Sequence, residues 1–162
     1  MSTLIPNENC WIGFSATVPA SPTLVPTAAE VAAATELTDF IISITASAAG
    51  NVIPTPKLKS LFETSIPGTS TATFTSEMYR DSVSANDTAW NMLPRNATGV
   101  FYISRFGGTG AGLKPIATDK VEVWQVRISS RAGSAMSSNT AQTFSLTCSV
   151  PVKPNESATV TA

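Results

Sequence analysis

At 162 residues and 16.9 kDa the chain has the length of one domain with room for a real core. Its 10 basic and 11 acidic residues leave a net charge of −1, without the basic excess of a chain that grips nucleic-acid phosphates. There is no histidine, which removes together the commonest general base, the Ser–His and Cys–His dyads and the usual zinc ligand.

A hydrophobic share of 43% excludes wholesale disorder. The N-terminus lacks a charged region followed by an apolar run, so no secretion signal is expected, and no stretch approaches the roughly 20 apolar residues of a membrane span. Without a secretory route, Cys10 and Cys148 are expected as reduced, core-facing thiols rather than a disulfide. The sequons at Asn86, Asn96 and Asn155 then read as chance matches.

Residues 1–8 read as a polar N-terminal arm containing Pro6. From Asn9 to Ala16 a strand is expected, with Cys10, Ile12 and Phe14 on one face and Trp11 and Gly13 on the other. Residues 17–26 carry Pro19, Pro22 and Pro26, which break any ladder. Thr27 and Glu30 have capping-box spacing ahead of Val31, so a short helix is expected there as a spacer. Leu37 to Ala46 alternates again, with Phe40, Ile42 and Ile44 opposite Asp39, Ser43 and Thr45.

Residues 46–68 differ from their neighbours. Pro54, Pro56 and Pro67 exclude a central strand, and a long inter-strand loop is expected. Two readings stay open: a surface excursion with Leu58, Leu61 and Phe62 tucked onto the core, or an arm reaching a neighbouring subunit.

Thr71 to Tyr79 reads as a strand, with Thr71, Thr73, Thr75 and Glu77 opposite Ala72, Phe74, Ser76 and Met78. Asn86 to Pro94 reads as a short helix capped by Asn86 and stopped by Pro94, its Ala89, Trp90 and Leu93 packing onto a sheet. Gly99 to Phe106 is the next strand. Gly107 to Gly112 lacks a GK[ST] ending and precedes Leu113-Lys-Pro115, which cannot open a phosphate-binding helix, so it reads as a mobile turn. Asp119 to Arg131 is a strand whose parity shifts near Trp124, by a bulge or by cover on both faces. The final strand, within Asn139 to Val152, has the cleanest pattern: Phe144, Leu146, Cys148, Val150 and Val152 alternate with Thr143, Ser145, Thr147 and Ser149. Residues 153–162 read as a polar C-terminal tail.

The acidic residues fall singly and the cysteines lie far apart, so neither a hard-cation site, a zinc half-site nor a catalytic constellation is supported. No cofactor is expected. The three tryptophans read as core, and Arg80, Arg95, Arg105, Arg127 and Arg131 are dispersed as inter-subunit ion pairs would be. The outcome is a mainly β chain, an antiparallel sandwich or barrel with one short flanking helix.

The order of pieces from 36 to 152 carries a resemblance. Thr-Pro-Lys-Leu-Lys-Ser-Leu-Phe (55–62) leads to Ile66-Pro-Gly68, a Thr-rich strand and Tyr79-Arg-Asp81. Then come the Trp-bearing helix, Gly99-Val-Phe-Tyr-Ile-Ser-Arg105, Asp119-Lys-Val-Glu-Val-Trp-Gln-Val-Arg127 and the strand closing on Ser149-Val-Pro-Val. In this the chain resembles the major tail tube proteins of long-tailed bacteriophages, especially those of actinobacterial hosts.

The resemblance implies a non-enzymatic virion protein, made in the bacterial host cytoplasm. Six copies would close a ring, and rings would stack into a tube through which double-stranded DNA passes without specific binding. Its partners would be itself, the tape-measure protein and other tail proteins, with no membrane. Stacking would fall to the loop 46–68, with Asn51, Pro54, Pro56, Lys57 and Lys59 as its candidate residues, and to the two tails. The candidate lumen face is Thr71, Thr73, Thr75 and Glu77, or alternatively Thr143, Ser145, Thr147 and Ser149, hydroxyl-rich sets that would not hold DNA. Residues 17–35 have no counterpart in this scheme. Competing readings are a capsid decoration or other virion β-sandwich, and a carbohydrate-binding module.

Overall fold

The computed structural model describes residues 9–55 and 64–162. In chain order the elements are β1 (Trp11–Ser15), α1 (Ala28–Ala33), β2 (Thr35–Glu36), β3 (Ile41–Thr55), β4 (Thr64–Tyr79), α2 (Thr88–Met92), β5 (Thr98–Ser104), β6 (Lys120–Gly133), β7 (Thr143–Ser149) and β8 (Asn155–Thr159). The strands form one eight-stranded antiparallel sheet in the order β2-β1-β5-β6-β7-β4-β3, with β8 joined to β6.

Two strands separate β4 from β5 in that order, yet the sheet curls until their faces meet. Phe74 of β4 stacks on Phe101 of β5 at 4.7 Å between ring centroids and lies 6.1 Å from Trp124 of β6. Around these rings Ile12, Phe14, Val126, Ile128, Phe144, Leu146, Met78 and Leu93 form the main core. This is the expected mainly β sandwich, with two short helices rather than one flanking helix.

A second apolar layer covers the outer face of β1, β5 and β6. Trp11, Val100, Tyr102, Val121 and Val123 face it, and Leu24, Val31, Ala34, Ala158 and Val160 close over them. The Trp11 indole lies across Gly13, where a Cβ would come within 2.3 Å of the ring, so only glycine lets the indole lie flat there. Burial pushes the Tyr102 phenol up to about 12, and the charge of Glu30 adds to the shift.

This layer gives residues 17–35 their place. The Thr27–Glu30 capping box forms as expected: Thr27 accepts from the Glu30 amide and Glu30 accepts from the Thr27 amide at 2.8 Å. The helix is therefore not a mere spacer, because its Val31 is fully buried. The C-terminal residues are not a polar tail either. β8 pairs with the start of β6, Pro154, Ala158 and Val160 are buried, and Thr161 bridges to Thr27.

The parity change at Trp124 marks a strand covered on both faces, one of the two expected readings, and β6 is also irregular against β8 between Val121 and Val123 and against β7 between Ile128 and Ser130. Other expectations need correction. A bulge between Ile41 and Ser43 turns Ile41 toward the core and leaves Ile42 exposed. Helix α2 starts after Asp87, not Asn86, and no side chain caps it, because the buried Asp87 carboxylate is turned toward Arg80.

The described part of 46–68 is not a loop. β3 and β4 pair from Ile41↔Met78 out to Thr55↔Thr64, whereas β7 accompanies β4 only from Phe74 to Tyr79. Beyond Phe74 the two strands therefore leave the body as a ribbon. Pro54 and Pro67 both lie in this part, where each strand has one unshared edge and a missing N–H disturbs no central ladder.

Candidate functional site

The candidate lumen residues offered as alternatives form one surface. β4 pairs with β7, setting Thr75 against Thr147 and Glu77 against Ser145. Across these strands Phe74, Ser76, Met78, Phe144, Leu146 and Cys148 are buried, while Thr71, Thr73, Thr75, Glu77, Ser145, Thr147 and Ser149 are exposed and Thr143 is half-buried. β3 extends the face on one side, where the Ser47 and Thr73 hydroxyls meet at 3.0 Å, and β6 extends it on the other with Arg127 opposite Ser149 and Ser130 opposite Thr147. Glu77 is the sole carboxylate of β3, β4 and β7, and it accepts a hydrogen bond from the Thr143 hydroxyl at 3.2 Å. With Arg127 the face is electrically balanced, coated in groups that hydrogen-bond water in either direction.

The second feature is the margin. β3 ends the sheet order, and no further described strand pairs beyond it. Its ribbon with β4 carries Val52, Ile53 and Ile66 at 60%, 50% and 52% exposure. Ile53 faces Ile66 across the ladder. Of the candidate stacking residues, Asn51 sits in the irregularity between Gly50 and Val52, its carboxamide oxygen accepting from the Val52 amide, and Pro54 lies further out. Pro56, Lys57 and Lys59 lie outside the described residues.

The arginines are used differently from the expectation. Arg80 pairs with Asp87 at 2.6 Å and Arg105 with Glu122, both within the chain. The Trp90 ring is held between Arg80 and Arg131, whose guanidinium carbons lie 3.6 and 3.5 Å from its centroid, and it meets Phe144 edge-on at 5.1 Å. Arg131 also donates to the Trp90 and Leu93 carbonyls at the end of α2, at 2.6 and 3.3 Å. Burial lowers the Arg131 pKa, and the neighbouring Arg80 charge lowers it further. Sequence reading missed this clamp because Arg131 on β6 lies 41 residues from Trp90 and only the fold brings it to the ring.

The glycine-rich turn is held rather than free. Asp119 accepts from the Thr109 and Ile116 amides at 2.8 and 2.9 Å and from the Thr109 hydroxyl. Burial works to raise this carboxyl, but those bonds outweigh it and hold the pKa below 3.8. Both cysteines are free, and burial pushes the Cys148 thiol up to about 12. Among the described residues no group of His, Cys, Asp or Glu is placed to hold a metal ion. No described helix is long and apolar enough to cross a membrane.

A sandwich with one balanced hydroxyl face, an unshared margin and an exposed apolar arm is a structural subunit, a piece shaped to be covered by other chains. The family model for the phage tail tube protein matches residues 3–162, and the chain belongs to that family. It is a structural protein of the virion tail and not an enzyme. Two of the solved structures that share its fold belong to a virion and a baseplate. A chain of the virion of a native gene transfer agent (GTA) particle aligns with TM-score 0.60 at 9% identity, over 96% of this chain and 99% of that one. A chain of the 6-fold symmetrised cryo-EM structure of the anti-feeding prophage (AFP) baseplate aligns with TM-score 0.60 at 11% identity, over 96% and 98%. No curated protein sequence matches the chain.

Proposed function

We propose that copies of this chain close into rings, six to a ring, which stack into a hollow tail tube that conducts double-stranded DNA. The observation that carries this reading is the continuous hydroxyl surface over β3, β4, β7 and β6, with Glu77 and Arg127 as its balancing charges. Turned inward, it lines the bore. DNA would be held by many phosphate–cation contacts acting together, and a wall without a cationic excess lets it slide.

The unshared margin of β3 supplies the contact between neighbours, since ring closure removes edges that otherwise aggregate. The 6-fold symmetrised baseplate neighbour supports six copies per ring. The β3–β4 arm, with residues 1–8, bridges one ring to the next, and the tape-measure and other tail proteins complete the assembly.

Electron microscopy of the concentrated pure protein tests this. Rings or fibres with a central hole are expected, and a monomer at every concentration overturns the reading. A capsid decoration protein would instead coat preformed shells and leave no hollow fibres.

A further inference from the structure

The sandwich has an open seam. Where β3 leaves the 3-10 turn Thr38–Phe40, it does not close against β1 and β5, and a cleft of about 370 Å³ remains. Ile12, Ile41, Ile42, Ile44 and Ile103 line it, with Cys10 at its wall and Arg105 at its rim. Its volume is that of a small binding site. Thr38 and Ser43 complete the lining, and Arg105 is already engaged by Glu122, so the cleft offers isoleucine contacts beside neutral polar groups and no free charge.

The same chain carries a matching projection. Ile53 and Ile66 stand opposite each other on the arm, each about half exposed, and neither β3 nor the β4 segment from Thr64 to Ser76 carries a charge. Ile53 lies nine residues beyond Ile44 on one extended strand. At ~3.3 Å per residue that is about 30 Å of paired ribbon, so the projection cannot fold back into its own cleft.

We infer that the Ile53–Ile66 projection of one copy seats in the Ile42-centred cleft of another. This rests on the tube reading above and names the surface that receives the arm. A projection and a cleft on different faces of one chain make a head-to-tail contact, which repeats into rings when the rotation closes and into filaments when it does not. Residues 1–8 of the same chain precede Asn9 and Cys10 in sequence and are the competing occupant. They would cover the cleft but leave Ile53 and Ile66 bare, whereas a second copy covers both.

Cys10 provides the probe. In assembled Ile53→Cys protein, mild oxidation should link position 53 of one copy to Cys10 of another and give a ladder of covalent multimers on a non-reducing gel. Cys148 stays silent because it is buried. Adding Cys10→Ser should abolish the ladder. Ile42→Glu, at a position already 42% exposed, should fold normally and raise the concentration needed for assembly at least tenfold.

Tubes that form without a ladder overturn the inference and leave the tube reading standing. So does a ladder that survives Cys10→Ser, because arms would then meet arms. A ladder that appears only after residues 2–8 are deleted assigns the cleft to the N-terminal segment and also overturns it. Wild-type protein that forms no tubes removes the reading beneath.

Discussion

Glu77→Lys puts the inward-facing assignment at risk directly. Glu77 is exposed, and among the described residues its side chain accepts one hydrogen bond, from Thr143. Losing an exposed bond of this kind costs about 0.5–1 kcal/mol, so the variant should fold and assemble. The charge of the face changes from balanced to +2 per subunit, since lysine replaces the carboxylate beside Arg127. Each phosphate that a lysine engages adds about 0.9 to the slope of log K against log salt. Between 50 and 200 mM salt one contact is therefore worth about 3.5-fold, and six contacts around a ring about 10³. Assembled tubes should be incubated with short linear duplex DNA and with closed circular plasmid across that salt range. Only linear DNA can thread a bore. The variant should gain salt-sensitive binding of linear DNA and none of plasmid, while wild-type tubes bind neither. Equal gains for both forms would place Glu77 on the outer wall and refute the lumen assignment.

Removing residues 51–69, which takes out both strands of the distal ribbon, should leave the melting temperature within about 2 °C because no core residue among the described ones is lost, while shortening or abolishing tubes seen by electron microscopy. Trp90→Ala forfeits two guanidinium–ring contacts and the edge-on contact with Phe144, and should lower unfolding free energy in denaturant titration by about 2–4 kcal/mol. Glu30, held below 4.5 by the Thr27 amide, and Asp119, held below 3.8, contribute stability that is present above those values and lost as the pH falls through their lower folded pKa values. Amide exchange at Thr109 and Ile116 should accordingly quicken relative to the core between pH 5 and pH 2.5 (about the span of the linkage), and Asp119→Asn should exchange fast at both.

What was legible in the sequence was whatever repeats locally. The alternation of β4 from Thr71 to Met78 and of β7 to Ser149 separates the buried set from the hydroxyl set, because a strand writes its two faces into every second residue; it overran the end of β7, where Val152, expected on the apolar face, is exposed. The Thr27–Glu30 box is a contact between residues three apart, and it forms. What stayed hidden depends on partners distant in sequence. β8 is short and polar, and only pairing with β6 makes a strand of it. Residues 46–55 looked like a loop because proline excludes a central strand but says nothing against a two-stranded ribbon beyond the sheet. Ile42 was assigned inward because a bulge cannot be seen in composition.

The margin of β3 explains why such a chain favours assembly over solitude. Proteins that stay monomeric blunt an edge strand with lysine, inward charge or brevity. β2 is blunted by brevity, at two residues. β3 runs for fifteen residues with no charged side chain, and the only proline in it, Pro54, lies near its far end. Its inner part sits over a cleft of isoleucines and its outer part carries Val52 and Ile53, so both ends of one strand expose apolar surface. A long edge left unprotected in this way either aggregates or meets a partner that fits. The bulges at Ile42 and Asn51 fix the register of the ribbon and so fix which side chains it presents. A defined register lets identical copies meet in one way only, and one repeated contact builds a tube where many random ones would build an aggregate.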